Sequence, residues 1–437
     1  MNAPFCNSAS VAVVGAGWAG LAAAVRAREL GYRVTLLEAA RTPGGRARSL
    51  PLALPGGGTL LADNGQHILI GAYTATLGLM RCVGVDPAQA LRRLPLTLRY
   101  PDGSGLALPR LPRPLHALAG VLTARGWRWS ERLALVRAAV GWRRAERIDE
   151  ATVADECAAL PTRVVRDFIE PLCVAALNTP APEASAEVFL RLLRDALFGA
   201  PGSADLLLPV GSLGAVLPEP ALVWLRAHGT DVRLGRRVSA LHWQAPQWHI
   251  DGEAFDRMVL ALPATAAGRV LEASAAAAAP PLAGVLRGWS GDVAALRYQA
   301  IATVYALTGA KSLAARWPVP MLALRSNSGA PAQFVFDRGA MPQGRLLAFV
   351  VSAARLDSAA LRQAVLEQAR SQLGLDLHVL RSVTEKRATF ACTPGLRRPP
   401  MRIAPGLLAC GDYVDGPYPA TLEGAVRSGL RAAQALG

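Results

Sequence analysis

The 437 residues are enough for two or three domains, and a hydrophobic fraction of 52% provides material for large buried cores. The 47 basic residues outnumber the 32 acidic residues, yet the arginines are dispersed and no recognition motif accompanies them, which argues against a nucleic-acid partner. The six cysteines are scattered without any C-x-x-C pair, so the composition predicts neither a metal site nor a disulfide framework.

The chain opens with the pattern of a strand, a tight turn, a helix and a second strand. Apolar residues 11–14 predict the first strand, and residues 15–20 form a glycine-rich turn. A helix follows to about Leu30, and residues 32–37 predict the second strand. This order is typical of a dinucleotide-binding βαβ unit.

The later elements fall into two groups. Residues 77–197 have a helical, arginine-rich pattern interrupted by prolines, which predicts a helical lid. After an Ala/Pro hinge near residues 275–284, several β-rich runs predict an antiparallel sheet. The predicted elements after the lid are strands at 206–211, 231–241, 257–262, 301–307, 321–325, 333–336, 346–351 and 406–411, and helices at 358–373 and 421–437.

These elements predict an α/β fold in which a Rossmann-like domain is interleaved with an α+β substrate domain. The substrate domain is expected to contain the antiparallel sheet and the helical lid. The predicted boundaries assign residues 1–76, 204–268 and 391–437 to the Rossmann-like domain, and residues 77–203 and 269–390 to the substrate domain.

The first turn carries the spacing Gly15-x-Gly17-x-x-Gly20. Gly15 permits the sharp turn, Gly17 lets the backbone approach a pyrophosphate, and Gly20 lets the helix and the strand pack closely. The amide groups at the start of the helix, around Trp18 and Ala19, are expected to face the phosphate charge.

An acidic residue and a second glycine pair follow this unit. Glu38 ends the second strand, at the separation expected for a carboxylate that binds the adenosine ribose. The run Gly44-Gly45-Arg46 resembles the second signature of the amine oxidase and phytoene desaturase superfamily of FAD enzymes. The resemblance implies that these residues follow the phosphates and ribityl chain of FAD, and that the Rossmann-like domain is an FAD-binding domain of the glutathione-reductase type.

The C-terminal segment resembles the flavin motif of the same superfamily. Asp412, which follows Gly411 at a strand end, can accept hydrogen bonds from ribityl hydroxyls. The amides around Thr421, Leu422 and Glu423 begin a helix expected to point at the flavin, where its positive end would stabilise the anionic reduced ring. The resemblance also implies cofactor contacts for three residues in the middle of the chain, Val238, Ala261 and Pro263.

A loop after the first unit narrows the resemblance to one branch. The run from Asp63 through Asn64, Gly65 and Gln66 to His67, together with the C-terminal motif, resembles the hydroxysqualene dehydroxylases, FAD enzymes of bacterial hopanoid synthesis. This implies reduction of hydroxysqualene to squalene. The loop is expected to contact the cofactor, and His67 and Gln66 are the candidate catalytic residues, with FAD positioning as the alternative duty of His67.

Three other functions stay open at this point. A carotenoid-type desaturase would share the FAD domain and an apolar tunnel but would move electrons from substrate to flavin. An amine oxidase usually has a tyrosine where this chain has Thr421, and a lysine near the flavin, whereas Lys311 lies in a predicted turn and Lys386 in a charged run. A flavin-binding scaffold without turnover is the third.

The predicted partners are an apolar isoprenoid substrate and an external electron donor, because no second dinucleotide fingerprint is present. Functional coupling to squalene-synthase-like enzymes is also expected. The arginine excess favours peripheral contact with an anionic membrane. Residues 1–10 contain no Lys or Arg, so no signal peptide is expected, and the predicted location is the cytoplasm or the inner face of the cytoplasmic membrane.

Overall fold

The computed structural model describes residues 9–112, 114–144, 150–309 and 319–437, and the turn predicted around Lys311 lies outside these ranges. The strands are β1 (Ser10–Val14), β2 (Arg33–Glu38), β3 (Ser49–Ala53), β4 (Thr59–Asp63), β5 (Leu69–Ile70), β6 (Leu91–Leu94), β7 (Thr97–Arg99), β8 (Gly105–Ala107), β9 (Leu206–Pro209), β10 (Asp231–Leu234), β11 (His242–Gln244), β12 (Gln247–Ile250), β13 (Glu253–Phe255), β14 (Arg257–Leu260), β15 (Tyr298–Thr308), β16 (Met321–Ala323), β17 (Phe334–Met341), β18 (Gly344–Ser352), β19 (Leu377–Phe390), β20 (Arg402–Ala404) and β21 (Leu407–Ala409). The helices are α1 (Trp18–Glu29), α2 (Thr74–Cys82), α3 (Pro87–Ala90), α4 (Leu115–Leu122), α5 (Trp129–Arg144), α6 (Val153–Glu156), α7 (Thr162–Val164), α8 (Glu170–Leu177), α9 (Ala186–Phe198), α10 (Leu213–Val216), α11 (Pro218–Ala227), α12 (Ala264–Ala276), α13 (Pro280–Ala294), α14 (Ser358–Leu373) and α15 (Leu422–Gln434), with a π-helical turn at Val165–Ile169.

Three distant parts of the chain form one largely parallel sheet. Its strand order is β10-β2-β1-β14-β21-β20, and only β20 runs antiparallel to its neighbour. On the central strand β1, Val11 lies opposite Val34 of β2 and Val13 lies opposite Val259 of β14. A strand covered on both faces is apolar throughout, which explains the uninterrupted Val/Ala run 11–14.

The second large sheet is antiparallel, with the order β16-β17-β18-β15-β19. Its side chains alternate between two cores, as the two-residue period of a strand requires. On β18, Leu347 and Phe349 pack in the same core as Leu361 of α14, whereas Leu346 and Val350 face the other side. The interleaved α/β fold predicted from the sequence is confirmed, and the domain boundaries stay a prediction.

Two predicted elements differ from the structure. The segment 77–197 is not helical throughout, because β6 pairs with β9 and β7 pairs with β8. The strand predicted at 231–241 ends at Leu234, since Gly235 has a left-handed φ of 75° and its amide donates to Ala40 instead of continuing the ladder. The β6–β9 pairing and the contact of Gly235 with Ala40 join residues far apart in the sequence, whereas β7 and β8 form a local hairpin.

The long apolar segments do not form membrane spans. Within the described residues, every helix is either too short or too polar to cross a bilayer.

Candidate active site

A cavity of about 620 Å³ opens at the carboxyl ends of the parallel strands and extends along one face of the antiparallel sheet. This is the position at which parallel α/β sheets bind ligands. The predicted site residues that line it are Gly15, Gly17, Trp18, Ala19, Glu38, Gly44, Gly45, Arg46, Asn64, Gly65, Gln66, His67, Ala261, Pro263, Gly411, Asp412, Thr421 and Leu422.

Each of the three positions 15, 17 and 20 in the first turn requires glycine for a different structural reason. Gly15 has φ of 112°, and a Cβ atom there would lie 2.5 Å from the carbonyl oxygen of Ala261. A Cβ on Gly20 would lie 1.8 Å from the carbonyl oxygen of Gly15, so only glycine permits this approach of α1 to the turn. A Cβ on Gly17 would meet no described protein atom within 4 Å. The space beside Gly17 therefore belongs to the cavity.

Gly17 is also the N-cap of α1, and no side chain caps this helix. Uncapped amides at a helix N-terminus attract a phosphate, both through hydrogen bonds and through the helix dipole. The cavity therefore offers an anion-binding end.

Glu38 holds a fixed orientation at the end of β2. Its Oε2 accepts a hydrogen bond of 2.7 Å from the amide of Ala16, and its Oε1 accepts one of 2.8 Å from the amide of Ala40. Each carboxylate oxygen can accept a second hydrogen bond. This geometry suits a carboxylate that receives ribose hydroxyls.

Arg46 and Asp412 join the two ends of the chain at the cavity. Arg46 donates to Oδ1 of Asp412 at 2.6 Å and to the carbonyl of Ala388 at 2.7 Å. Burial alone lowers the pKa of Arg46, but the charge and hydrogen bond of Asp412 outweigh it and raise that pKa above its usual value. The guanidinium group of Arg46 is therefore charged, and its contact with Asp412 connects the loop after β2 to the end of β21.

His67 and Gln66 lie beside each other at the cavity wall, and both are anchored. Nδ1 of His67 lies 2.8 Å from the carbonyl oxygen of Gly65, and Nε2 of Gln66 donates to the hydroxyl of Tyr305 at 2.8 Å. Burial, and to a smaller degree the charge of Arg46, lower the pKa of His67 below its usual value. His67 is thus neutral at pH 7, with Nδ1 protonated towards Gly65 and Nε2 left as an acceptor.

Asp63, the first residue of the same loop, anchors that loop to a neighbouring helix. Its Oδ1 accepts a hydrogen bond of 2.7 Å from the amide of Leu213 at the start of α10. Burial raises the pKa of Asp63 to about 6, because the amide of Leu213 and the charge of Arg338 offset the burial only in part.

Three predicted cofactor residues lie outside the cavity lining. Gly20 packs against the backbone of Gly15 behind the turn, and Val238 is buried in the core while its neighbour Arg237 lines the cavity. The carboxylate of Glu423 is fully buried and points away, accepting hydrogen bonds from the amides of Ala75 and Thr76 at the start of α2. The structure therefore gives Glu423 the role of a helix cap, because these donors occupy its oxygens.

Several residues that line the cavity belong to no motif that could have identified them from the sequence. Tyr298, at the start of β15, lies near Arg46 and Asp412, and its buried hydroxyl has no hydrogen-bond partner in the described part of the chain. The apolar wall comes from α8 and from the antiparallel sheet, and its members are Val174, Ile301, Phe334, Phe336 and Val350. Alternation along the strands indicates two faces, but it does not indicate which face meets a ligand.

Comparison with known proteins shows which family the chain belongs to. The sequence profile of the flavin-containing amine oxidoreductases matches residues 18–437. The chain belongs to this family. Among flavin-containing amine oxidoreductases, it is 28% identical to the hydroxysqualene dehydroxylase of Rhodopseudomonas palustris, covering 98% of each chain. It is 26% identical to the hydroxysqualene dehydroxylase of Zymomonas mobilis, covering 96% of this chain and 97% of that one.

These matches confirm the resemblance predicted from the motifs. The fold is that of a solved oxidoreductase from Methanosarcina mazei, with a TM-score of 0.70, 16% identity, and coverage of 97% of this chain and 99% of that one. As a flavin-containing amine oxidoreductase, the chain is an FAD-dependent oxidoreductase, which confirms the predicted cofactor and enzyme class.

The residues present fit FAD. The described lining residues include five arginines, Arg46, Arg48, Arg237, Arg269 and Arg387, against three carboxylates, Glu38, Glu385 and Asp412. This excess of positive charge suits a pyrophosphate. The described protein atoms leave the space beside Gly17 unfilled, and they leave the buried hydroxyl of Tyr298 without a hydrogen-bond partner. A bound cofactor can occupy the first and bind the second. The assignment of individual residues to parts of FAD stays a prediction.

Proposed function

We propose that this chain reduces hydroxysqualene to squalene, replacing an allylic hydroxyl group by hydrogen with release of water. The observation that carries the proposal is one continuous cavity in which a charged cradle for FAD adjoins an apolar wall of β-sheet side chains. Full-length similarity to hydroxysqualene dehydroxylases supports the choice of substrate. An external electron donor of unknown identity completes the proposal.

Bound and reduced, FAD would supply the hydride that this reaction consumes, and one proton drawn from solvent would leave with the hydroxyl group as water. The protein must position the hydroxyl group, assist the departure of water and shield the allylic carbon from solvent. Phe334, Phe336 and Val350 supply an apolar surface along the cavity. That surface binds a hydrocarbon chain and excludes water.

His67 is suited to bind the substrate hydroxyl in its neutral form. With Nδ1 held by the carbonyl of Gly65, Nε2 can accept a hydrogen bond from that hydroxyl. The general-acid role predicted for His67 requires the protonated ring, which burial disfavours. We therefore propose that His67 positions the hydroxyl and that Gln66, anchored to Tyr305, fixes the loop.

The pH dependence of turnover distinguishes these two roles of His67. If neutral His67 is the working form, kcat/KM falls as the pH drops through its lowered pKa, below about 6.5, and stays level above it. A charged general acid gives the opposite slope, with activity lost as the pH rises. Steady-state rates between pH 5 and 9 decide this, with His67→Gln as the variant expected to lose the acidic limb.

The proposed reaction is tested with photoreduced holoprotein under anaerobic conditions. Hydroxysqualene is expected to restore the absorption of oxidised flavin and to yield one squalene per flavin, whereas phytoene leaves the flavin reduced. Reduction of the oxidised holoprotein by phytoene would identify a desaturase instead. Reoxidation without squalene, or no reaction with either compound, contradicts the proposal.

A further inference from the structure

The helices α4 and α5 pack against each other and leave large apolar side chains exposed to solvent. On α4, Leu115 is 53% exposed and Leu118 is 40% exposed, and Gly120 is the only buried residue of that helix. On α5, Trp129 is 65% exposed and Leu133 is 44% exposed. We call these side chains, together with Leu111 and Val140, the α4–α5 surface.

The exposed residues of α5 form one row along the helix. With about 100° per residue, Trp129, Leu133 and Val140 fall within about 40° of one another. The opposite side of α5 holds Leu135 and Trp142, which are buried in the core. A helix with a second apolar row outside its core face has a surface that water solvates poorly.

The same segment is strongly basic. Residues 109–144 contain eight arginines and a single acidic residue, Glu131, whereas the whole chain has 47 basic and 32 acidic residues. Nearly half of the net positive charge therefore lies in this short segment. The arginines whose side chains are described as exposed are Arg110, Arg125, Arg128 and Arg137.

Arg132 fixes the arrangement of the two helices. Its guanidinium group donates to the carbonyl of Leu122, the last residue of α4, and to that of Ala124 in the following turn, and its Cζ lies 4.8 Å from the ring centroid of Trp129. The exposed tryptophan is thus held in place by a cation–π contact. The surface is preformed and combines an apolar row with flanking cationic groups.

We propose that the α4–α5 surface docks on an anionic lipid bilayer. The apolar row enters the boundary between headgroups and acyl chains, and the surrounding arginines bind headgroup phosphates. A second copy of this chain would bring the same positive charge to the contact, which opposes self-association. The proposal does not depend on which substrate the enzyme reduces.

Vesicle sedimentation of the holoprotein tests the proposal. The protein is expected to bind vesicles that contain phosphatidylglycerol much more tightly than pure phosphatidylcholine vesicles, with affinity falling as salt rises. Trp129→Ser/Leu133→Ser is expected to lower the partition coefficient at least tenfold. The matched control is Val210→Ser/Val223→Ser, which removes side chains that are 66% and 67% exposed elsewhere on the molecule and is expected to leave binding within twofold.

Charge-reversal variants test the docking proposal independently of the apolar substitutions. Arg110→Glu/Arg128→Glu/Arg137→Glu is expected to abolish binding, whereas Arg226→Glu/Arg362→Glu/Arg397→Glu has the same net charge and retains most of it. All variants must keep bound FAD and the wild-type melting temperature. Equal losses in both sets show a nonspecific charge effect and overturn the proposal. Unchanged binding in the surface variants, or a dimer that only the surface variants lose, overturns it as well.

Discussion

Replacing Gly17 with alanine is expected to weaken FAD binding about 100-fold while lowering the stability of the apoprotein by no more than about 1 kcal/mol, the cost of alanine at a helix N-cap. The backbone of Gly17, with φ of −73°, accepts alanine, and the new Cβ meets no described protein atom within 4 Å. It does occupy the space that a phosphate needs to reach the uncapped amides of α1. Losing one or two charge-assisted hydrogen bonds costs about 2.7 kcal/mol of binding free energy, which corresponds to an affinity about 100-fold weaker.

The measurement is titration of the apoprotein with FAD, paired with thermal unfolding without cofactor. Gly284→Ala is the matched control, because this glycine occupies an exposed position of α13 and its Cβ also meets no described atom within 4 Å. It should leave FAD affinity unchanged and raise the stability of the apoprotein by no more than about 1 kcal/mol, because alanine favours the helix interior. Gly20→Ala is expected to unfold or destabilise the apoprotein itself, since its Cβ overlaps the carbonyl of Gly15. Wild-type FAD affinity in Gly17→Ala would place the pyrophosphate elsewhere.

The glycine turn could be predicted because its chemistry is local. Gly15, Gly17 and Gly20 lie within six residues, and the flanking strand and helix follow from periodicity. The strand β2 and its terminal Glu38 are equally local. Short-range patterns therefore located the glycine turn, which is predicted to bind the phosphates, and the central strands of the sheet.

The remaining site depends on contacts between distant residues. Arg46 and Asp412 were each predicted to bind FAD, but their ion pair joins positions 366 residues apart and becomes visible only in the fold. Tyr298 and Phe334 line the cavity because β15 and β17 share a sheet with a particular face inward. Nothing in their immediate sequence separates them from ordinary core residues.

Glu423 shows that a sequence motif can locate the start of a helix without identifying the hydrogen-bond partners of each side chain. The helix α15 begins at Leu422, as expected, and Thr421 caps it by accepting a hydrogen bond from the amide of Gly424. The carboxylate of Glu423, however, accepts hydrogen bonds from a helix 347 residues earlier in the chain. A sequence motif specifies the path of the backbone more reliably than the direction of each side chain.

Glu423→Ala is expected to destabilise the protein by about 2–4 kcal/mol, because the carboxylate is fully buried and accepts several hydrogen bonds, although its partner Arg427 is partly exposed. Oε2 of Glu423 accepts from the amide and the hydroxyl of Thr76, and Oε1 accepts from the amide of Ala75 and from Arg427 at 2.7 Å. Removing the fully buried carboxylate leaves the buried amide and hydroxyl of Thr76 unpaired, whereas Arg427 is partly exposed and can bind water. Glu423→Gln keeps one acceptor and should lose about half as much.

Urea unfolding of the apoprotein measures this cost, and Glu272→Ala on exposed α12 is the control, expected to change stability by less than about 0.5 kcal/mol. Adding Arg427→Ala to Glu423→Ala should cost less than Arg427→Ala alone, because only the contacts of Arg427 with Thr74 and Tyr418 remain to be lost, and the double-mutant cycle measures the coupling of the ion pair. The FAD affinity of Glu423→Ala should fall as well, since Tyr73 and Thr421 line the cavity on the two segments that this carboxylate joins. A loss below about 1 kcal/mol with normal FAD affinity would mean that water reaches the start of α2 and that the carboxylate of Glu423 does not hold α2 and α15 together.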